Sequence, residues 1–153
     1  MNRNKATRAL LGTMVIAMAI STTACTSGNG PSEGSSDQVI ALLMPDTSQP
    51  RYELHDRPNF EAAVAELCAS CTVLYSNANG DSQTQQQQAE NAITNGARVI
   101  AINPIDVDAA ASIARRAAES GVKIVSLGRL IQSAPVEYSV SMDSRELGVQ
   151  QAE

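Results

Sequence analysis

Two cysteines three positions apart, Cys68 and Cys71, have the types and spacing that most directly suggest chemistry in this sequence. A C-x-x-C pair can be a redox centre, half of a zinc site or a disulfide. The pair falls at the C-terminal end of a predicted helix, where the dipole opposes a thiolate, and a second zinc-binding pair is lacking. A disulfide is the favoured interpretation, with redox and metal roles left open. Its short loop would contribute about 2 kcal/mol to stability.

Other groups that could catalyse a reaction are sparse. His55 is the only histidine and has no second metal ligand at suitable spacing. Ser126 lacks the pair of flanking glycines of a nucleophile elbow, since Ile124 stands two residues before it. The turn after Met44, residues 45–50, contains no glycine, so it is no phosphate-binding loop. We therefore predict no catalytic, metal or cofactor site.

Polar residues of a different kind follow each apolar run of the sequence. They are Arg51 and Tyr52 after the first run, Asn77 to Gly80 after the second, Asn103 after the third, Arg129 after the fourth and Asp143 after the fifth. Guanidinium, amide and carboxylate groups with one aromatic ring suit a sugar, which offers hydroxyls and a flat C–H face. Taken singly, each residue also fits an ordinary surface charge or turn. Their shared position favours a ligand site.

The elements that must position these residues alternate regularly. Continuous apolar runs predict strands at Val39–Met44, Thr72–Tyr75, Arg98–Ile102, Val122–Leu127 and Val136–Val140. Helices are predicted at Asp56–Ala69, Asp81–Asn95 and Asp106–Ser120, with a last one beginning near Asp143. Such alternation predicts an α/β fold, a doubly wound parallel sheet of about five strands with helices on both faces. Ligands bind such sheets beyond the carboxyl ends of the strands.

The third predicted helix has the clearest amphipathic pattern. Its apolar face is expected to comprise Val107, Ala110, Ala111, Ala114, Ala117 and Ala118. Asp106 is placed to cap its start, and Gly121 to end it in a left-handed turn, as Gly96 does for the second helix.

The N-terminal 24 residues have the three parts of an export signal: a basic stretch to Arg8, an apolar stretch of 9–20 and a small-residue stretch. The run Thr22-Thr23-Ala24-Cys25 resembles the lipobox of bacterial lipoproteins, so we expect Cys25 to be lipidated and to anchor the protein to the membrane. The alternative is a secreted protein with a buried cysteine. Residues 25–37 read as a flexible tether, and 38–153 as the folded part.

The charge balance argues against nucleic-acid binding. Of 153 residues, 43% are hydrophobic and 18% charged, which suffices for a core. The signal holds three of the 11 basic residues and none of the 16 acidic ones, so the remainder is strongly acidic. Such a surface lacks the basic footprint that phosphate backbones require.

From Val39 onward the sequence resembles the N-terminal lobe of type I periplasmic sugar-binding proteins of ABC importers, most closely the xylose-binding branch and its actinobacterial lipoprotein relatives. The motifs are Arg51-Tyr52 with Asp56-Arg57, Asn77 to Gly80 with the helix containing 85–90, Val99 to Pro104, 121–125, Gly128 to Ile131, and 140–143. The resemblance implies that Arg51 and Arg129 hydrogen-bond the sugar and that Tyr52 forms an aromatic wall. Relatives usually carry Tyr-Asp where this chain has Leu127-Gly128, which leaves the sugar's identity open.

The resemblance implies a non-catalytic, lipid-anchored binding protein outside the cytoplasm that delivers a xylose-like monosaccharide to an ABC permease. Because the family has two lobes and the chain stops within a predicted helix, we read the sequence as a fragment containing one lobe. Two alternatives remain open: a receptor lobe that signals to a membrane sensor, and a truncated product without function.

Overall fold

The computed structural model describes residues 38–152, in which five parallel strands alternate with helices. The strands are β1 (Gln38–Met44), β2 (Cys71–Asn77), β3 (Ala97–Ile102), β4 (Lys123–Leu127) and β5 (Tyr138–Val140). They form one sheet in the order β2-β1-β3-β4-β5, and every neighbouring pair is parallel. The predicted signal, the tether and Cys25 lie outside the described residues.

The helices of the described part are α1 (Arg57–Leu67), α2 (Ser82–Thr94), α3 (Val107–Glu119) and α4 (Ser144–Ala152). A π-helical turn, Tyr52–Asp56, leads directly into α1. None of the helices between residues 38 and 152 has the length and apolar character needed to cross a bilayer.

The sheet buries apolar side chains on both of its faces, because successive residues of a strand point in opposite directions. On one face Ala41 and Leu43 of β1 join the core formed with α2 and α3. On the other face Leu42 and Met44 pack with Tyr52, and Phe60 of α1 covers them. The structure therefore confirms the predicted doubly wound sheet with helices on both faces.

Helix α3 packs through a narrower stripe than the sequence predicted. Ala110, Ala111, Ala114 and Ala117 are buried as expected. Ile113 is buried with them, whereas Val107 is 39% exposed and Ala118 is also exposed. Ile113 lies three residues after Ala110 and four before Ala117, so it belongs to the same face. Val107 and Ala118, in the first and last turns, lie beyond the contact with the sheet.

The predicted caps are present. The Asp106 carboxylate accepts a hydrogen bond of 2.7 Å from the backbone N–H of Ala109. Gly96 and Gly121 follow α2 and α3 with φ of 79° and 71°, a left-handed conformation that glycine adopts without strain.

Most element boundaries differ from the prediction by one or two residues. Helix α1 ends at Leu67 rather than Ala69, because Cys68 leaves the helical conformation with φ of −148° and is joined to Cys71 by a disulfide. Strand β5 begins at Tyr138 rather than Val136, which instead packs partly buried against the core.

Candidate functional site

A cavity of about 470 Å³ lies at the carboxyl ends of the strands. Its polar lining comes from Arg51, Asp56, Asn59, Asn103 and Ser141. Its apolar lining comes from the strand side chains Leu42, Met44, Leu127 and Val140, from Met142, and from one aromatic ring, that of Phe60. An apolar concave surface with a few convergent polar groups is the usual form of a small-molecule site.

Asn103 is the most deeply buried polar side chain of this lining, at 5% exposed. Its backbone is fixed on both sides: its N–H donates to the Leu43 carbonyl at 3.0 Å, and its carbonyl accepts from the Gln85 side chain at 2.9 Å. Among residues 38–152, in contrast, no hydrogen-bond partner is found for its side-chain amide. The amide atoms are not among the fully buried unpaired atoms of the described residues, so they face the cavity, where a ligand can reach them.

Gly128 forms the wall beside that amide. A Cβ atom at this position would lie 3.5 Å from both polar atoms of the Asn103 side chain. The residue has a φ of 75°, which glycine adopts without strain. The lack of a side chain therefore leaves the Asn103 amide open to the cavity.

Arg51 and Asp56 form the charged part of the lining. The Arg51 Nε lies 3.4 Å from Asp56 Oδ2, and both side chains are partly exposed. Arg51 precedes the π-helical turn and Asp56 ends it, so this single turn brings the two side chains onto one side. Arg51 thus lies where the sequence placed it, in a site at the carboxyl edge.

Arg129 does not line the cavity. Its Nη1 donates to the carbonyls of Pro104 and Ile105, at 3.0 Å and 2.7 Å, and so ties the segment after β3 to the end of β4. Arg129 lies at the same edge of the sheet as Arg51, since each follows the carboxyl end of a parallel strand. In this position Arg129 supports the segment that follows β3 and does not contact the cavity.

Tyr52 and Asp143 lie elsewhere than expected. Tyr52 is only 6% exposed and packs in the core with Leu42 and Met44, so it forms no wall of the cavity. Phe60, one turn into α1, supplies the aromatic surface instead. The exposed Asp143 carboxylate caps α4, accepting from the backbone N–H groups of Arg145 and Glu146 at 2.9 Å and 3.2 Å.

Besides Ser141, the sequence analysis did not predict the lining residues Asp56, Asn59 and Phe60. A signal for them was available. Asn59 and Phe60 lie three and four residues after Asp56, so the three side chains share one face of a helix.

The segment Asn77–Gly80 supports the site from the neighbouring strand. The Asn77 amide donates to the Asp46 carbonyl at 3.1 Å and to Glu53 at 3.1 Å. Asn79 and Gly80 form the turn that follows, with φ of 50° and 83°. This turn places Gly80 N–H 2.8 Å from the Pro45 carbonyl, which fixes the chain after β1.

A polar cluster anchors the π-helical turn to β2. The Tyr75 hydroxyl donates a hydrogen bond to Glu53, whose other oxygen lies 3.5 Å from Arg57. The Arg57 guanidinium lies over the Tyr75 ring, 3.9 Å from its centroid. The bond from Tyr75, followed by those from Asn77 and Arg57, holds the pKa of Glu53 below its ordinary value of 4.5. Burial raises the pKa of Tyr75 above its ordinary value of 10.0, and the bond to Glu53 raises it further.

Glu53 is expected to make the fold sensitive to acid. Since its pKa is lowered by folding, its contribution is complete above its ordinary value of 4.5 and is lost as the pH falls through the lowered value. The difference in free energy of unfolding between wild type and Glu53→Gln should therefore shrink between about pH 6 and about pH 3. Urea denaturation over this range measures it. Glu66→Gln, in an exposed glutamate of α1, is the control, and an equal pH trend for both variants would contradict the assignment.

The disulfide lies at the opposite edge of the sheet from the cavity. Cys71 is the first residue of β2, and Cys68 follows the end of α1, with 5.3 Å between their Cα atoms. His55 is exposed, and in the described part of the chain no three His, Cys, Asp or Glu side chains are grouped to hold a metal ion.

Comparison with known proteins gives the family. Residues 40–153 match the family described as a periplasmic binding protein domain. The D-xylose-binding periplasmic protein of Escherichia coli (strain K12) is 29% identical over 113 residues, which are 74% of this chain and 33% of that protein. The chain thus spans about a third of the length of the curated relatives it matches.

Solved structures give the same result. An ABC transporter solute-binding protein from Clostridium phytofermentans, with bound β-D-glucose, has a TM-score of 0.68 at 28% identity, covering 74% of this chain and 35% of that one. A carbohydrate transporter solute-binding protein from Chloroflexus aurantiacus, in complex with D-glucose, has a TM-score of 0.66 at 33% identity. The match covers 76% of this chain and 34% of that one. The chain belongs to the periplasmic binding protein domain family, and its α/β fold is that of one lobe of the type I periplasmic binding proteins.

Proposed function

We propose that this chain is the N-terminal lobe of an exported solute-binding lipoprotein that captures a monosaccharide for an ABC importer. The observation that carries the proposal is the Asn103 amide, buried to 5% exposure, without a hydrogen bond to any residue in 38–152, and lining a cavity at the ligand-binding edge of the sheet. An amide offers one donor group and one acceptor, which together match neighbouring hydroxyls.

The remaining lining suits a sugar ring. Arg51 and Asp56 present donors and acceptors side by side, and Phe60 presents an apolar face for the ring C–H groups. Among the described lining residues no nucleophile stands beside a base, which agrees with a ligand that is held and released unaltered.

The ligand class draws support from the relatives. The Escherichia coli relative is named for D-xylose, and both solved structures described above contain D-glucose. We propose a xylose-like aldose as the ligand, with the permease of an ABC importer as the protein partner.

A second lobe completes the site in this proposal. The chain corresponds to about a third of its relatives, and its cavity opens at the edge of a single sheet. One lobe can supply only one side of a hydrogen-bonding shell, and closure of two lobes excludes water. We place the protein outside the cytoplasm, anchored through a lipid on Cys25, in line with the export signal and lipobox of the sequence.

Calorimetry on the complete gene product tests the proposal. Titration with a panel of aldoses, including D-xylose and D-glucose, should give saturable heat with at least one sugar, which is recovered chemically unchanged. A panel without any binding would reject the function. Mass analysis of the mature N-terminus separately tests Cys25, since an unmodified cysteine would reject the lipid anchor alone.

A further inference from the structure

The arginines at the carboxyl edge of the sheet differ in the partners that their guanidinium groups contact. Arg57 pairs with Glu61 at 2.9 Å and with Glu53 at 3.5 Å, and Arg129 is bound to two backbone carbonyls. Neither side chain lines the cavity. Among the described lining residues, Arg51 is therefore the one positive charge and Asp56 the one negative charge.

Asp56 occupies an unusual position for a carboxylate at a helix start. It precedes α1, yet its side chain makes no capping hydrogen bond. Within residues 38–152 its ion pair is with Arg51, whose Nε approaches to 3.4 Å. Since the pair engages Nε, the Nη groups of Arg51 remain free of hydrogen bonds to the part of the chain that the structure describes. The pair thus places a negative acceptor directly beside free cationic donors.

We propose that Asp56 is a specificity-determining residue that selects uncharged sugars over sugar acids by cancelling the charge of Arg51 inside the cavity. The inference rests on the proposed function, because it concerns the ligand of the same cavity. A uronate whose carboxylate approached Arg51 would also meet the Asp56 carboxylate, and like charges at this range repel strongly in a partly desolvated site. An uncharged polyol meets no such opposition, since it can donate a hydroxyl to Asp56 and accept from Arg51.

The experiment compares two ligands on the complete gene product. Calorimetry gives the affinity for the neutral aldose that binds best and for D-glucuronate and D-galacturonate. The wild type should favour the aldose by at least about tenfold, and Asp56→Asn should shift the ratio toward the uronate by about tenfold or more. Asp56→Glu, which keeps the charge, should retain the preference of the wild type.

Asp46→Asn is the matched control. This aspartate also follows β1 and lies at the same edge, but it bonds Ser48 and does not line the cavity. Its removal should leave the ratio within about twofold, because Asp46 does not line the cavity and solvent ions screen its charge over the greater distance to the ligand. An unchanged ratio in Asp56→Asn, or an equal shift in Asp46→Asn, would overturn the inference while leaving sugar binding intact. A wild type that binds no sugar would reject the proposed function and this inference together.

Discussion

Asn103→Leu is expected to abolish most sugar binding while leaving the fold about as stable as the wild type. Two hydrogen bonds from the amide to a ligand contribute about 0.5–1.5 kcal/mol each, so their loss should weaken binding roughly 10- to 100-fold. The free protein loses no hydrogen bond, since the amide has no partner in the described residues. Because the amide atoms face the cavity, their replacement by an apolar group of similar size leaves no former partner unpaired.

Gln85→Leu provides the contrast, because Gln85 is also a buried amide, at 2% exposed. Both ends of its side chain are bonded, the Nε2 to the Asn103 carbonyl at 2.9 Å and the Oε1 to the Ile105 N–H at 3.1 Å. Its substitution strands two buried backbone groups and should cost about 1–3 kcal/mol for each. Urea denaturation and calorimetry measure both variants. Equal destabilisation by the two changes would show that the Asn103 amide has a structural role.

The contrast between these amides also explains why Asn103 could be predicted from the sequence as a site residue. It directly follows a strand, and the end of a parallel strand is fixed by the sheet, so its position at the ligand edge follows from topology alone. The caps Asp106 and Gly121 were predictable for a similar reason, because they depend only on the backbone groups of their own helix.

Side-chain direction within the segment between β1 and α1 could not be predicted in this way. The sequence predicted a loop followed by an α-helix from Asp56. Tyr52, in that loop, was expected to reach the ligand. The π-helical turn at Tyr52–Asp56 changes the rotation per residue, so Tyr52 points into the core and Phe60 takes its place at the cavity. The contacts of Arg129 could not be predicted because they depend on two carbonyls that lie 24 and 25 residues earlier in the chain.

Helix α1 contacts the sheet through the partly buried Phe60 and is also attached at both of its ends. It has no fully buried residue, and Leu67 in its last turn is 86% exposed. Before its first turn, Glu53 accepts from the Tyr75 hydroxyl; after its last turn, Cys68 is bonded to Cys71. Because α1 carries Asn59 and Phe60 into the cavity, these two attachments control the geometry of the site.

Removing both attachments is expected to detach α1 while the rest of the sheet stays folded. Cys68→Ala with Cys71→Ala should cost about 2 kcal/mol, the chain-entropy value for so short a loop. Tyr75→Phe removes a hydrogen bond to a carboxylate, worth about 1.5–3 kcal/mol. The 11-residue helix α1 separates the two attachments by about 16 Å, so their losses of free energy of unfolding should add.

Hydrogen exchange of the individual amides distinguishes detachment of α1 from general destabilisation. In the combined variant the α1 amides should exchange at least about 100-fold faster, because a loss of 2.8 kcal/mol or more corresponds to two factors of ten. The amides of β1 and β3, which lie at the centre of the sheet, should keep their protection, since neither attachment touches them. Uniform acceleration across α1, β1 and β3 would contradict the two-ended attachment. It would mean that α1 unfolds only with the whole lobe, and that the burial of Phe60 holds the helix more strongly than either end.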